Sequence, residues 1–154
     1  MITILGLDVS LTNTGWATID TNGDTLNSGN IIPPRKGTLE ERTKFIHDEL
    51  IKLIKSEKPT TAALEDFPRG FGKASSPQTI ASLWVAQMAA RWALISQSVP
   101  YSAAHVSTIR AALKPWLGLS SRPTKNDVQA ALFPSDGDIA DALAAAHWLR
   151  LKKD

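Results

Sequence analysis

The apolar positions of this chain change period part-way along it. Residues 2–7 form a continuous apolar run, the signature of a buried strand, and Asp8 closes it. A second strand is predicted over 15–20 and a third over 24–32, with Asn22-Gly23 between them as a type I′ hairpin signal. An antiparallel meander follows, stopped by Pro33-Pro34. The period then lengthens. Thr38-Leu-Glu-Glu41 is a capping-box pattern, and Phe45, Ile46, Leu50, Leu53 and Ile54 make the apolar stripe of a helix to about residue 55.

Strands and helices alternate in the second half. Residues 60–67 read as a fourth strand with Glu65 near its end, and 99–106 as a fifth. Between them Ser76-Pro77 opens a helix to about residue 98. That helix is apolar around most of its circumference, and Arg91 is its one charge. One face can pack on the sheet. The other, with Trp84, Met88, Arg91 and Trp92, predicts a homodimer interface. Short helices are expected over 108–114 and, capped by Thr124, over 125–132; a last helix, capped by Ser135, runs to about residue 151. The expected architecture is one α/β domain over 1–154, a five-stranded mixed sheet with the meander first and parallel strands after it.

Composition narrows the chemistry. The absence of cysteine excludes a thiol nucleophile, a disulfide framework and a Cys-type zinc site. No apolar run approaches a membrane span and no signal peptide is evident, which predicts a cytoplasmic protein (host cytoplasm if phage-encoded) with no membrane partner. The net charge of +2 hides an asymmetry. Residues 1–66 hold ten acids and seven bases; residues 67–126 hold Arg69, Lys73, Arg91, Arg110, Lys114, Arg122 and Lys125 and no acid. A stretch so basic predicts a polyanion-binding surface.

Four acids stand apart from the rest. Asp8 and Glu65 sit at strand positions, and Asp138 and Asp141 share one face of the last helix at i and i+3. The opposite face, Ile139, Leu143, Ala146 and Leu149, suits packing on the sheet, and Asp136 reads as a turn or cap. If the helix crosses the strand ends, four carboxylates meet and repel one another unless hard cations neutralise them. Oxygen-only ligands favour magnesium, with manganese as a substitute. Two such ions about 4 Å apart are suited to phosphodiester hydrolysis.

The residues that carry this chemistry resemble a known family. Gly6-Leu-Asp8-Val-Ser-Leu-Thr-Asn-Thr-Gly15-Trp resembles the opening motif of RuvC-type Holliday junction resolvases, Leu64-Glu65 their second acidic site, and Asp138-Ile-Ala-Asp141-Ala-Leu-Ala their closing motif. The shortness of the chain is closer to the bacteriophage members. The resemblance implies an RNase H-like fold, a homodimer, branched DNA (four-way junctions, possible forks) as partner, and symmetric paired nicking with two Mg2+ ions per active site. It implies Asp8, Glu65, Asp138 and Asp141 as metal ligands and Lys125 as a basic residue at the scissile region, with Arg110 near another such position. Phe67 or Phe71 would be the aromatic that stacks on an unpaired base. Arg69, Lys73, Lys114 and Arg122 would complete the DNA surface. One departure is plain: residues 112–121 lack the Val-Thr-Gly-x-Gly-like segment that usually precedes the basic lysine. His47, His105 and His147 are read as ordinary helix or surface residues, not ligands.

Other classes compete with this reading. A relaxed debranching nuclease for Y-forks and replication intermediates would use the same residues. Gly-x-Asp-x-Ser-x-x-x-x-Gly also resembles the first phosphate loop of actin-like ATPases and sugar kinases, but no second Asp-Gly-rich loop follows, so no nucleotide cofactor is expected. A DNA-binding relic without activity would have no reason to keep four clustered acids.

Overall fold

The structure, a computed structural model, describes residues 1–66 and 76–152. The expected DNA contacts Phe67, Arg69, Phe71 and Lys73 lie outside the described residues. Five strands form one sheet: β1 (Ile4–Asp8), β2 (Thr14–Ile19), β3 (Thr25–Ile31), β4 (Thr61–Glu65) and β5 (Tyr101–Ala104), in the order β3-β2-β1-β4-β5. The first three pair antiparallel, and β1–β4 and β4–β5 pair parallel, as the sequence predicts. The helices are α1 (Leu39–Glu57), α2 (Pro77–Ser96), α3 (Val106–Leu113), α4 (Lys125–Leu132) and α5 (Gly137–Lys152).

The pleat sorts the core into two layers. On β1, Leu5 and Leu7 face α1 and α2, in a layer with Ile46, Leu50, Ala90 and Leu94. Ile4 faces the other way, into a layer with Ala63, Ile109, Val128, Leu143 and Trp148. Because side chains alternate with period two, Gly6 and Asp8 share the side of Ile4, and Glu65 shares the side of Ala63. Both acids therefore project toward α5. Among the described residues no helix is long and apolar enough to cross a membrane.

The α1 capping box forms as its sequence predicts: Glu41 N donates to Thr38 Oγ1 at 3.2 Å and Thr38 N to Glu41 Oε2 at 2.9 Å. Elsewhere a neighbouring side chain wins. Asn22-Gly23 does not make a type I′ turn, which needs positive φ at both residues; Gly23 has it, at 95°, and Asn22 does not. Asp20 organises the turn instead, its Oδ1 accepting from Asn22 N and Asp24 N at 2.9 Å. Likewise Asp136, not Ser135, caps α5: its Oδ1 accepts from Asp138 N at 2.9 Å and Ile139 N at 3.1 Å. His105 caps α3, its Nδ1 accepting from Ser107 N at 3.2 Å, so that helix begins earlier than expected.

The last helix departs most from expectation. Every residue of α5 from Ile139 to Leu149 is buried, not one face alone. The sheet lies under it and α3 and α4 cover its outer side. The sheet-facing side is made of small residues, and two glycines set its depth. A Cβ on Gly6 would lie 1.9 Å from the Ala142 carbonyl oxygen, and one on Gly15 2.3 Å from that of Asp138. The helix backbone rests directly on the strands at these two points. His147, far along α5, stacks on Trp116 with ring centroids 4.3 Å apart, and burial, reinforced by Arg150, pushes its imidazole down to about 4. It is a packed residue.

Candidate active site

Parallel pairing places the first two acids side by side. Leu7 is in register with Leu64, so the next residues, Asp8 and Glu65, end adjacent strands on the same face. The glycine contacts then lay the first turns of α5 across those strand ends. Asp8, Glu65, Asp138 and Asp141 consequently line one cleft of about 350 Å³, together with Asn13, Gln87, Arg110 and Lys125. Asp141 is only 7% exposed.

The carboxylates feel one another. Burial, followed by the charges of Glu65, Asp141 and Asp138, pushes Asp8 from 3.8 up to about 8, against the pull of Lys125. Burial and then Asp141 push Glu65 from 4.5 up to about 7, with Arg110 and Lys125 opposing. Burial also raises Asp141, while Lys125 and Arg110 hold it down. Lys125 Nζ is 3.5 Å from Asp141 Oδ2. Two cations thus offset part of the negative charge, and the rest is uncompensated.

Two supporting residues escaped the sequence reading. Asn13 Nδ2 donates to Asp138 Oδ2 at 2.7 Å. The loop that aims it is built by Ser10, whose Oγ accepts from Asn13 N at 3.0 Å and donates to Asn13 O at 2.8 Å. Gln87, on α2, donates from Nε2 to the Glu65 carbonyl at 2.9 Å. The remaining amide oxygens, Asn13 Oδ1 and Gln87 Oε1, are buried without a protein partner. Asn13 lies within the opening motif and Gln87 in no motif, but the role of each comes from a neighbour remote in the chain.

The other expected site residues fall in different places. Arg110 lines the cleft; Lys114 caps the C-terminal end of α3, and Arg122 is exposed in the α3–α4 connection, neither on the cleft wall. Trp84, Met88 and Trp92 are 46%, 38% and 62% exposed on the outer face of α2, and with α1 they line an apolar groove of about 670 Å³. Arg91 does not join that groove. Its guanidinium turns to Asp66, Nη2 to Oδ1 at 2.6 Å, and lies 5.9 Å from the Tyr101 ring centre. The basic stretch is therefore less free than its composition suggests: Arg91 is held by Asp66 and Lys125 by Asp141.

Among the described residues no three carboxylates converge closely enough to form a ready-made metal coordination sphere. The cleft still offers donors of one kind, oxygens, with the buried amide oxygens of Asn13 and Gln87 beside them.

No family model matches the chain. The curated relatives share one name, and two structural neighbours with TM-scores above 0.6 are resolvases. The crossover junction endodeoxyribonuclease RuvC of Bordetella petrii is 34% identical over 153 residues, covering 93% of this chain and 80% of the relative. That of Xanthobacter autotrophicus is 41% identical over 68 residues, 42% of this chain and 40% of the relative. The chain thus spans about two fifths of the length of the Xanthobacter and Ehrlichia relatives it matches. Among solved structures, Thermus thermophilus RuvC in complex with a Holliday junction substrate superposes with a TM-score of 0.76 at 18% identity, covering 99% of this chain and 95% of that one. The yeast mitochondrial Holliday junction resolvase gives 0.61 at 14% identity, covering 97% and 78%. The mixed sheet and its flanking helices are the RNase H-like fold of these resolvases. Aligned over nearly its whole length, and with its acids gathered where the strands end, the chain belongs to the RuvC family of crossover junction endodeoxyribonucleases.

Proposed function

We propose that this chain is a single nuclease domain that resolves four-way DNA junctions, hydrolysing one phosphodiester in each of two opposed strands. The observation that carries the reading is the cleft itself: acids from two adjacent strand ends and from the helix crossing them, with Lys125 and Arg110 among them. The name of the Bordetella relative and the junction bound by the Thermus protein support the substrate class.

Asp8, Glu65, Asp138 and Asp141 would hold two divalent cations, magnesium by preference and manganese as a substitute. The fit rests on the oxygen-only donor set and on the burial and mutual repulsion that push Asp8 and Glu65 upward, a burden that bound cations would relieve. Bound there, the cations would polarise the attacking water and supply a counter-charge for the leaving oxygen. The protein's own residues set the stage. Asn13 fixes the carboxylate of Asp138. Gln87 grips the peptide carbonyl of Glu65 and ties the end of β4 to α2. Lys125, beside Asp141, would meet a non-bridging phosphate oxygen as DNA enters. A cleavage panel of an immobile four-way junction, a Y-fork and a linear duplex of the same sequence, with magnesium, manganese and chelator, tests the reading. Cation-dependent cutting of the junction is expected. Equal cutting of the fork would make the chain a general debranching nuclease, and cutting of the duplex at the same rate would overturn structure selectivity.

The outer face of α2 supports a homodimer. Trp84, Met88, Trp92 and Ile95 leave a contiguous apolar surface of the kind that a second copy covers. Trp92→Glu should convert a dimer to a monomer by light scattering at micromolar concentration and turn paired nicks into single ones. A dimer that persists in this variant would place the interface elsewhere.

A further inference from the structure

A second cleft, of about 510 Å³, opens beside the carboxylates and is lined by Thr12, Asn13, Ile32, Pro33, Arg35 and Arg42. Asn13 lines both clefts, so the two are contiguous through one side chain. The topology explains the adjacency. Thr14 is in register with Ile31, so β3 ends at the edge of the sheet where β1 delivers Asp8. The segment after β3 therefore brings Arg35 to the carboxylate end of the sheet, and α1 returns Arg42 to the same place.

The fold uses one group of Arg42 and none of the Arg35 side chain among the described residues. Arg42 Nη2 donates to the Leu11 carbonyl at 2.6 Å, which fixes the guanidinium against the loop bearing Asn13. Its Nε is buried with no acceptor. Arg35 is exposed and makes no ion pair or hydrogen bond among the described residues. No carboxylate lines the cleft: Glu41, nearby on α1, is occupied by Thr38 N. Two guanidinium groups over an apolar floor, with no carboxylate beside them, form a site for a tetrahedral oxyanion.

We propose that this cleft holds a backbone phosphate of the DNA strand that enters the carboxylate cleft, with Arg35 and Arg42 as its donors. It would anchor the strand on the β3 side of the carboxylate cleft that Arg110 and Lys125 line, so that the scissile phosphate is gripped from both directions. The inference rests on the nuclease reading. Its chemistry is that of a phosphodiester and carries no base preference.

The test is the salt dependence of four-way junction binding in chelator, where no cutting occurs, for the wild type, Arg35→Gln and Arg42→Lys. A lost phosphate contact lowers the slope of log K against log salt by about 1. Arg35→Gln should show that change and bind about fivefold more weakly at moderate salt. Single neutral methylphosphonates, moved along the strand, should include one position that weakens the wild type and leaves Arg35→Gln unaffected. Arg42→Lys keeps the charge and loses the fork, so its slope should hold while its affinity falls, with an unchanged melting temperature as the control for folding. An unchanged slope and methylphosphonate profile in Arg35→Gln overturns the phosphate site and leaves the nuclease reading standing. A wild type that neither binds nor cuts junctions overturns both.

Discussion

Asp8→Asn will abolish strand cleavage and, in the absence of divalent cations, make the protein more stable at neutral pH. The loss of activity follows from removing a carboxylate to which the proposed function gives a cation, and should be roughly a thousandfold or more. The gain in stability follows from the sign of the shift. Asp8 is pushed from 3.8 up to about 8, so the folded state binds its proton more tightly than the unfolded chain does. The stability this contributes is fully present below about 4 and is lost as pH rises toward 8. Glu65, raised from 4.5 to about 7, adds a loss of the same sign over a narrower window. The metal-free wild type should therefore melt at progressively lower temperature between pH 4 and pH 8. At pH 8 the asparagine variant should exceed it by roughly 2 kcal/mol or more, about 4–8 °C in a chain of this size. At pH 4 the two should converge. Magnesium should raise the melting temperature of the wild type and do so much less in the variant. Thermal melts across pH, with and without magnesium, read all of this. A variant no more stable than wild type at pH 8 would mean that the carboxylates do not burden the fold.

Gly6→Ala will disable the enzyme without touching an acid. The added methyl would lie 1.9 Å from the Ala142 carbonyl oxygen and 3.0 Å from the Ala146 methyl. These are backbone and short side-chain atoms of a helix buried on all sides, so no flexible group can yield. The helix must lift from the sheet. Overpacking of this kind costs about 1–3 kcal/mol, occasionally more. Asp138 and Asp141 ride on the displaced helix, and a misplacement of about 1 Å can cost on the order of a hundredfold in rate. Gly118→Asn is the comparison. No atom lies within 4 Å of a Cβ there, and asparagine tolerates its φ of 67°. Activity and denaturant midpoints for both variants decide the matter: a Gly6→Ala enzyme with normal stability and rate would remove the close packing of α5 as the device that assembles the site.

These glycines show what a sequence discloses and what it withholds. Gly6 and Gly15 flank Asp8 in a motif that can be read directly, and the acids at positions 8, 65, 138 and 141 stand out by spacing and by placement in apolar surroundings. Local rules are legible in the same way: the Thr38 and Thr124 caps depend on residues three places on, and both capping boxes form. The reason for the glycines is not legible, because it lies in a carbonyl more than 120 residues away. The burial of α5 on every side is hidden for a similar cause. Its alanine-rich outer surface reads as neutral until α3 and α4 cover it. At Asn22-Gly23 the dipeptide is a strong signal, but the Asp20 carboxylate, two residues earlier, supplies a competing set of hydrogen bonds and fixes another turn. Arg91 misled for the opposite reason. Its place in the helix suggested an exposed face, whereas a long side chain at the edge of that face reaches back to Asp66.

The most direct test maps nicks on one immobile four-way junction with all four strands labelled in separate reactions. The proposed function predicts that, with magnesium, two opposed strands are cut at symmetric positions near the branch point, and that chelator or Asp8→Asn removes both cuts together. Junction that survives intact with magnesium, or cutting that persists in chelator, would contradict it.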